Sequence, residues 1–307
     1  MLSDKQKAIG KYWSKQTASK TTDAVKWIRF WQIPRIVADI NHRICGEFVD
    51  GPSKGLIDRV RRDTGRAVFE RAISIGCGGG IKEAQILTEG MAADFDLYEL
   101  SESRIEIGKA RARKLGIENR MHFHCADAFV ELQDARECYD MIYWGDSLHH
   151  MFDVDDALAF CKRLLKPGGV LMLQEYVGPN HLQFTPRMLE IATGVRNLLP
   201  DRYLKHPTEP EKALPRRVIP TNLKGLLKRD PSEAADSENI LPALRKHFPN
   251  ATVVPLGGVI YFVALSDVLG NMDMQEDAAL LDTLLSLDEW VTEQGEFLYA
   301  AAYAVQE

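Results

Sequence analysis

The residue types that could carry chemistry in this sequence occur in a fixed order, each after an apolar segment. A glycine-rich stretch, AISIGCGGG (72–80), comes first, and glycine there lets a ligand or another backbone approach closely. Two carboxylates, Glu99 and Asp127, follow later apolar segments and can accept hydrogen bonds from a ligand. Farther along are side chains that can take up or release a proton, namely Asp146, His149, His150, Glu175 and Tyr176. This order predicts a ligand site followed by a group of acid–base side chains.

The spacing of the glycines restricts the ligand. A dinucleotide fingerprint has the form G-x-G-x-x-G, but after Gly76 and Gly78 this chain has Ile81 in place of the third glycine. A phosphate-binding P-loop is excluded because no Gly-Lys-Ser/Thr follows. The remaining pattern, G-x-G-x-G, favours a ligand that carries a carboxylate and an adenosine but no pyrophosphate.

The two carboxylates are consistent with an adenosine. Glu99 lies 23 residues beyond Gly76, at the end of the second apolar segment, where a carboxylate can accept both ribose hydroxyls. Asp127 ends the third segment and can accept from an adenine amino group, while Ala128 leaves room for the ring.

Alternating strands and helices must position these residues. Between residues 72 and 177, apolar segments typical of strands are separated by segments with helical periodicity. This alternation predicts βαβ units and a parallel sheet with helices on both faces, so the strands bring their carboxyl ends to one edge. The predicted strands are AISI (72–75), FDLYEL (95–100), MHFHCA (121–126), YDMIYW (139–144) and GVLMLQEYV (169–177).

The segments before and after this core also have apolar spacing or proline content that predicts their secondary structure. Apolar spacing predicts helices in AVKWIRFW (24–31) and IVADINHRI (36–44), then an amphipathic helical stretch, LIDRVRRDTGRAVFERA (56–72). Several prolines interrupt residues 178–233 and predict an irregular cap. The chain is then predicted to continue with a helix (232–248), a strand (251–256), a leucine-rich helix (277–295) and a last strand (296–305).

With its motifs in this order, the sequence resembles the class I S-adenosylmethionine-dependent methyltransferases, and within them a type 11/12-like methyltransferase domain. ISIGCGGG (73–80) is similar to their first motif, Glu99 to the ribose-binding acid, and ADAF (126–129) to the adenine-binding turn. YDMIYWGDSLHHM (139–151) is similar to the fourth-strand motif, and LLKPGGVLML (164–173) to the helix–turn–strand signature.

Three shorter segments extend the resemblance toward a bacterial branch that methylates small molecules or glycans. They are YW (12–13), EYVGP (175–179) and DPSEA (230–234). The resemblance implies a small-molecule or glycan-type acceptor.

The resemblance also implies the architecture. We expect an α/β fold with a Rossmann-like, seven-stranded, mostly parallel sheet, whose last strand inserts antiparallel, and helical N-terminal and inserted elements that form a lid. The expected division is an N-terminal helical cap (1–66), an S-adenosylmethionine-binding core (67–177), a substrate-side insertion (178–233) and a C-terminal completion of the sheet (234–307).

The cofactor that the resemblance implies is S-adenosyl-L-methionine. The family often has an acid two residues before the first motif glycine, where it helps to hold the methionine amino group; this chain has Ser74, so Asp146 or a backbone carbonyl would have to replace it. The residues expected at the cofactor are Tyr12, Trp13, Gly76, Cys77, Gly78, Glu99, Leu100, Asp127, Ala128, Gly145 and Asp146.

Methyl transfer is an in-line displacement at a sulfonium methyl, so the protein mainly aligns the reactants and excludes water. Tyr12 and Trp13 either close over the sulfonium or pack a helix onto the domain. A hydroxyl acceptor needs a general base, for which His149, Glu175 and Tyr176 are the catalytic candidates. A nitrogen or carbanion acceptor needs none of them.

Two other functions remain open at this point. One is a binding module that keeps the cofactor pocket without turnover. The other is a nicotinamide-dependent oxidoreductase, which Ile81 and the lack of a Tyr-x-x-x-Lys pair disfavour.

The bulk properties restrict the partners. A net charge of −6 and a pI near 5.8 disfavour a nucleic-acid partner, and no apolar run of membrane-spanning length occurs. The five cysteines form no C-x-x-C pair, so we expect reduced thiols in a cytoplasmic protein.

His122 and His124 share one face of a strand without further ligands, so we expect no bound metal. The leucine face of 277–295 predicts a core contact or a homodimer contact.

Overall fold

A seven-stranded sheet organises the protein in a computed structural model that describes residues 10, 12, 14, 27–209 and 211–307. Its spatial order is β3-β2-β1-β4-β5-β7-β6. The pairings among β1 to β5 are parallel, whereas β7 runs antiparallel to both β5 and β6. This confirms the predicted seven-stranded, mostly parallel sheet with an antiparallel last strand. The strands are β1 (Phe69–Ile75), β2 (Ala92–Tyr98), β3 (Met121–His124), β4 (Tyr139–Gly145), β5 (Leu165–Tyr176), β6 (Thr252–Gly257) and β7 (Tyr299–Val305).

Helices cover the sheet between and beyond the strands. Those in the first half are α1 (Pro34–Cys45), α2 (Lys54–Thr64), α3 (Ile81–Thr88), α4 (Glu102–Leu115), α5 (Ala128–Glu131) and α6 (Val154–Leu164). Those in the second half are α7 (Pro186–Leu198), α8 (Leu223–Arg229), α9 (Ile240–His247) and α10 (Ala278–Glu293). No helix among the described residues combines the length and the apolar character needed to cross a membrane.

Successive strand residues face two separate hydrophobic layers. Ala72 and Met141 belong to the layer that contains α1, α2 and α10, whereas Ile73 and Ile142 belong to the layer that contains α6 and α9. Because both faces of the central strands are covered, β4 is buried along Tyr139–Trp144. This two-sided burial explains the continuous apolar runs in the sequence.

The sheet order reverses between β1 and β4. The chain goes from β1 outward to β2 and β3 and then returns to place β4 on the other side of β1. At such a point the loops after the two strands diverge and leave a crevice at the carboxyl ends. The loops that carry the glycines and the histidine pair therefore lie at the same edge of the sheet.

Two predicted helical stretches near the N-terminus are wrong in part. In 56–72 the helix ends at Thr64, because Gly65 adopts a left-handed conformation (φ 67°), and the chain enters β1 at Phe69, which pairs with Ala92. In AVKWIRFW (24–31), the described residues 27–31 form no α-helix, and a 3₁₀ turn, Phe30–Gln32, begins at their end. Ile33 is extended (φ −98°, ψ 106°) because the next residue is a proline.

The segment 178–233 is more regular than predicted, because it contains α7 and α8. Pro186 occupies the first turn of α7, where a proline is tolerated, and the Thr185 hydroxyl accepts from the Met188 amide (3.2 Å). The guanidinium of Arg196 on α7 donates to the carbonyls of Ala264 and Ser266 at 2.8 Å each. Pro186 therefore begins a helix rather than preventing one.

Candidate active site

The glycine loop after β1 lies in the crevice beside β2 and β4. The Gly76 amide donates to the Tyr98 carbonyl (2.8 Å), which holds the loop against the end of β2. Gly76 and Gly78 have positive φ angles of 72° and 56°, and a Cβ on Gly76 would lie 3.0 Å from the Cβ of Ser147. The loop therefore requires glycine both for its backbone and for its close approach to the loop after β4.

Glu99 lies directly beside this loop. Its Oε2 accepts from the Gly78 amide (2.9 Å), and its Oε1 accepts from the Ser101 amide (2.8 Å). Each oxygen has a second lone pair, so the carboxylate can still accept from two ligand hydroxyls. The residue is only 6% exposed, and burial raises the pKa of its carboxyl above the ordinary value.

Asp127 and Ala128 lie at the end of β3, the next strand along the edge. The Glu99 amide donates to the His124 carbonyl (3.1 Å), so the ends of β2 and β3 are adjacent. Asp127 caps α5 by accepting from the Phe129 amide (2.9 Å), and Ala128 is buried. The structure thus brings the predicted ribose and adenine positions together.

Described residues of the N-terminal segment lie against the loop after β2. A Cβ on Gly10 would approach the Leu100 carbonyl oxygen to 2.5 Å, and the Ser14 hydroxyl is 2.9 Å from the Ser101 hydroxyl. Tyr12 is partly buried and interacts electrostatically with Arg104. Trp13 lies outside the described residues.

The loop after β4 begins with Gly145 and Asp146. Asp146 has a left-handed backbone (φ 57°), a conformation that is uncommon for a non-glycine residue and often occurs at functional sites. Its carboxylate forms an ion pair with Lys82 on α3. Burial lowers the pKa of Lys82, but the charge of Asp146 outweighs it, so the pKa lies above the ordinary value. Asp146 is therefore already partnered by a cation.

A buried carboxylate that the sequence analysis did not single out lies beside Ser74. The Ser74 hydroxyl donates to Oε1 of Glu83 (2.6 Å), and Glu83 is only 3% exposed. Burial raises the pKa of Glu83 above its ordinary value. The signal available in the sequence is an acid in the first turn of α3, directly after the glycine loop. A carboxylate from α3 thus lies next to the position where the resembled family often carries one on β1.

His149 and Glu175 form a buried pair at the ends of β4 and β5. His149 Nδ1 is 2.7 Å from Glu175 Oε2, and the other Glu175 oxygen accepts from the amides of Ser147 (2.7 Å) and Leu148 (2.8 Å). Because a carboxylate only accepts, Nδ1 donates, and neutral His149 has its free lone pair on Nε2. Burial lowers the pKa of His149, but the hydrogen bond and charge of Glu175 outweigh it, so the pKa is raised.

Glu175 and Tyr176 are both withdrawn from solvent. Glu175 is fully buried, and its oxygens are engaged by backbone amides and His149. The Tyr176 hydroxyl donates to the Pro179 carbonyl (3.0 Å), and burial raises its pKa, so it stays protonated. Its ring packs at 5.6 Å from the ring of Tyr299, its pairing partner where β5 ends and β7 begins.

The segment 230–234 contacts the histidine pair. The rings of His149 and His150 lie 4.3 Å apart, and His150 Nδ1 is 3.2 Å from the Ser232 carbonyl. Glu233 Oε1 is 4.0 Å from His149 Nε2. Burial raises the pKa of Glu233 above its ordinary value, and the charge of Asp230 adds to this effect. The sequence analysis named DPSEA (230–234) as part of the family resemblance but assigned no function to its side chains.

The chain is similar to known methyltransferases in sequence. Residues 70–214 match a family model described as a methyltransferase domain. Methyltransferase GfsG of Streptomyces halstedii is 33% identical over 107 residues, which cover 35% of this chain and 38% of that protein. The 27-O-demethylrifamycin SV methyltransferase of Amycolatopsis mediterranei is 31% identical over 153 residues, which cover 47% of this chain and 56% of that protein. The chain thus spans about half of the length of these relatives, or less.

A solved structure shares the whole fold. Geranyl diphosphate C-methyltransferase from Streptomyces coelicolor superposes with a TM-score of 0.54 at 14% identity, over 100% of this chain and 99% of that chain. Residues 70–214 thus match a methyltransferase domain, and the chain shares the Rossmann-like fold of this S-adenosylmethionine-dependent methyltransferase, with the glycine loop at the switch point of the sheet.

Proposed function

We propose that this protein transfers a methyl group from S-adenosylmethionine to a hydroxyl oxygen of a small-molecule or glycan-type acceptor, with His149 as the general base. The observation that carries the proposal is the His149–Glu175 hydrogen bond of 2.7 Å, which leaves the Nε2 lone pair of neutral His149 available for an acceptor proton. The fold and the family support methyl transfer, and this pair supports oxygen as the acceptor atom.

The residues at the crevice fit the cofactor. Glu99 retains an acceptor lone pair on each oxygen for the ribose hydroxyls, and Asp127 at the neighbouring strand end is placed for the adenine amino group. Gly76, Cys77 and Gly78 would bring backbone close to the methionine part, and Gly76 lies against Ser147, in the loop that begins with Gly145 and Asp146. When bound, S-adenosylmethionine supplies a methyl group already activated by the sulfonium, so these residues need only bind and orient.

Glu175 is a positioning residue in this proposal. It is fully buried and fixes the His149 ring by one hydrogen bond while two backbone amides hold its other oxygen. A carboxylate behind the base stabilises the imidazolium that forms when His149 takes the acceptor proton. The raised pKa of His149 lies in the direction that makes it an effective base near neutral pH. The Tyr176 hydroxyl donates to the Pro179 carbonyl, so Tyr176 does not act as the base in this proposal.

Two segments would enclose the site. The N-terminal cap (1–66) reaches the cofactor side through the Ser14–Ser101 contact of 2.9 Å. The insertion (178–233) and the segment that follows it reach the acceptor side, where the Ala235 amide donates to the His149 carbonyl (3.1 Å). We infer that both segments exclude water around the core (67–177), to which 234–307 adds the last strands.

The name of one relative supports oxygen as the acceptor atom. The Amycolatopsis relative is named for methylation at an oxygen. The structural neighbour named for methylation at carbon is only 14% identical, so it supports the fold and not the acceptor. A binding module without turnover is the second candidate, since the cofactor residues alone would serve it equally well.

The test has a binding arm and a turnover arm. Calorimetric titration with S-adenosylmethionine and S-adenosylhomocysteine should give saturable binding, whereas NADH should give none. Methyl-labelled S-adenosylmethionine is then incubated with hydroxylated acceptors, namely catechols, hydroquinones, sugars and macrocyclic polyols. Cofactor binding without label transfer to any of them would favour the binding module.

Replacement of His149 tests whether this residue is the general base. His149→Gln should lower kcat by about 10²-fold or more, since general-base catalysis contributes about 10²–10⁴-fold, and should leave the S-adenosylhomocysteine dissociation constant unchanged. His124→Gln, at the edge strand β3, is the control and should retain kcat. Unchanged turnover in His149→Gln would refute the assignment of the base.

A further inference from the structure

Four half-buried aromatic rings from separate segments pack together near the His149–Glu175 pair, and the proposed methyl transfer gives them no role. The ring of Tyr299 lies 5.3 Å from the rings of Phe30 and Phe262, and the ring of Phe184 lies 6.2 Å from that of Phe262. We propose that this aromatic cluster (Phe30, Phe184, Phe262 and Tyr299) binds the methyl acceptor, and that the Tyr299 hydroxyl donates a hydrogen bond to an acceptor oxygen. The inference rests on the proposed function and narrows the acceptor to a hydroxylated molecule with an aromatic part.

Strand pairing places Tyr299 at the edge of the sheet where the proposed base lies. Tyr299 is the first residue of β7 and pairs with Tyr176, the last residue of β5. The Tyr176 ring lies 5.6 Å from the ring of Tyr299 and 6.2 Å from the ring of His149. The aromatic cluster is therefore continuous with the base through a single intervening ring.

The Tyr299 hydroxyl is available to a ligand. Within the part of the chain that the structure describes, no group forms a hydrogen bond with it. The hydroxyls of two neighbouring tyrosines are engaged, since Tyr176 donates to the Pro179 carbonyl (3.0 Å) and Tyr261 to the Leu256 carbonyl (3.2 Å). A tyrosine hydroxyl withdrawn from bulk water usually has such a partner. Because Tyr299 is only partly buried and its oxygen is not closed off from solvent, an acceptor oxygen can supply the missing partner.

The surroundings of Tyr299 keep its hydroxyl a donor. Burial raises the pKa of Tyr299 well above its ordinary value, and the charges of Asp146 and Glu233 raise it further. The phenol therefore stays protonated near neutral pH. Asp146 belongs to the loop after β4, and Glu233 Oε1 lies 4.0 Å from His149 Nε2, so the hydroxyl is within electrostatic reach of both sides of the proposed site.

Packing holds the Tyr299 ring in place before a ligand binds. Gly258 has a left-handed backbone (φ 115°), and a Cβ there would lie 3.0 Å from Cδ2 of Tyr299. The buried ring of Tyr261 lies 6.2 Å from the Tyr299 ring. A side chain that is already ordered loses little entropy on binding. Apolar and aromatic surface with a few placed polar groups is typical of small-molecule sites, and contacts between rings favour an aromatic acceptor over a saturated one of the same size.

The experiment measures binding to the full chain saturated with S-adenosylhomocysteine, so that no methyl transfer occurs. Calorimetric titration with naphthalene-2,3-diol should give saturable binding. Its dissociation constant should be lower, by about threefold or more, than that of decalin-2,3-diol, which has the same hydroxyl positions and no aromatic ring. Tyr299→Phe should raise the dissociation constant of the naphthalenediol about 3- to 10-fold through loss of one hydrogen bond. It should leave the melting temperature without ligand unchanged, because the hydroxyl has no partner among the described residues.

Tyr303→Phe is the matched control. Tyr303 lies on the same face of β7, but its hydroxyl donates to Asp63, so this variant should bind the naphthalenediol as the wild type does. No saturable binding of the naphthalenediol, equal affinity of the wild type for the two diols, or equal affinity of wild type and Tyr299→Phe would overturn the proposal and leave the rings as packing residues.

A second variant covers the case in which Tyr299→Phe does not fold. Phe262→Leu keeps an apolar side chain but removes a ring, so it should reduce the preference for the naphthalenediol over the saturated diol, and an unchanged preference would overturn the proposal. The outcome is separable from the proposed function, because diol binding is measured without methyl transfer, whereas the base is tested by the turnover of His149→Gln.

Discussion

Replacement of Glu99 by glutamine tests whether this carboxylate binds the ribose of the cofactor. In the wild type, the Gly78 amide donates to one Glu99 oxygen at 2.9 Å and the Ser101 amide to the other at 2.8 Å. A glutamine has only one oxygen, so its amide nitrogen must face one of these two N–H groups. Glu99→Gln therefore removes the charge and at least one acceptor for a ribose hydroxyl.

The expected loss of binding free energy follows from these hydrogen bonds. A hydrogen bond to a charged group contributes about 1.5–3 kcal/mol, so losing one weakens binding by about 2 kcal/mol. Since about 1.4 kcal/mol corresponds to tenfold, the dissociation constant for S-adenosylhomocysteine should rise about 30-fold. Isothermal titration calorimetry measures this constant, and a thermal melt without ligand shows whether the variant is folded.

A neighbouring acid provides the control. Glu102 is exposed and lies in the first turn of α4, so Glu102→Gln changes the net charge by the same amount without touching the glycine loop. It should bind S-adenosylhomocysteine as the wild type does. A dissociation constant for Glu99→Gln equal to that of Glu102→Gln would refute the assignment of Glu99 to the ribose.

Three further predictions follow from the same contacts. Because burial raises the pKa of Glu99, the affinity of the protein for S-adenosylhomocysteine should fall on acidification at a higher pH than an ordinary glutamate would require. Binding titrations of the Glu99→Gln variant should lack this pH dependence. The folded state binds more protons between the ordinary and the raised pKa, so the contribution of Glu99 to the free energy of unfolding decreases as pH rises through that window. Gly80→Ala places a Cβ at 2.8 Å from Met121 Cε with φ at 60°, whereas Gly65→Ala at φ 67° meets nothing within 4 Å. Urea unfolding should therefore show a loss of about 1–2 kcal/mol for Gly65→Ala and a larger loss for Gly80→Ala; equal losses would contradict the packing argument. Ser74→Ala should cost about 1–3 kcal/mol of unfolding free energy, because it leaves a buried Glu83 oxygen without its donor at 2.6 Å, and an unchanged urea midpoint would count against that pairing.

The regular core could be predicted from the sequence because its signals are local. Apolar runs bounded by glycine and proline mark strands, and the alternation of strands with helical periodicity implies parallel pairing. The glycine loop, Glu99 and Asp127 each follow a strand, so the shared edge of a parallel sheet places them together without knowledge of any contact. The antiparallel last strand was predicted from the resemblance to a family and not from these local signals, and the structure confirms it.

The errors occur where distant contacts compete with local periodicity. Residues 69–72 continue a helical pattern, yet they form β1 because the ladder with β2 begins at Phe69. The prolines of 178–233 looked like interruptions, yet α7 forms there, and its Arg196 binds carbonyls about 70 residues away in sequence. Most of the leucine face of α10 is buried in the core, with Leu281 at 1% exposed and Leu285 at 3%, which the sequence alone left open between core and dimer contact.

The sequence by itself determined the fold class, the resemblance to a family and which residues follow the strand ends at the switch point of the sheet. The tertiary structure decided which acid–base side chains meet. Glu175 turned out to be buried behind His149, Glu83 to lie beside Ser74, and Asp230 to lie near His150. The physical reason is that a hydrogen bond of 2.6–2.7 Å depends on the placement of two chain segments to within a fraction of an ångström. Periodicity predicts which segments form helices and strands, whereas that placement depends on packing between segments far apart in the chain.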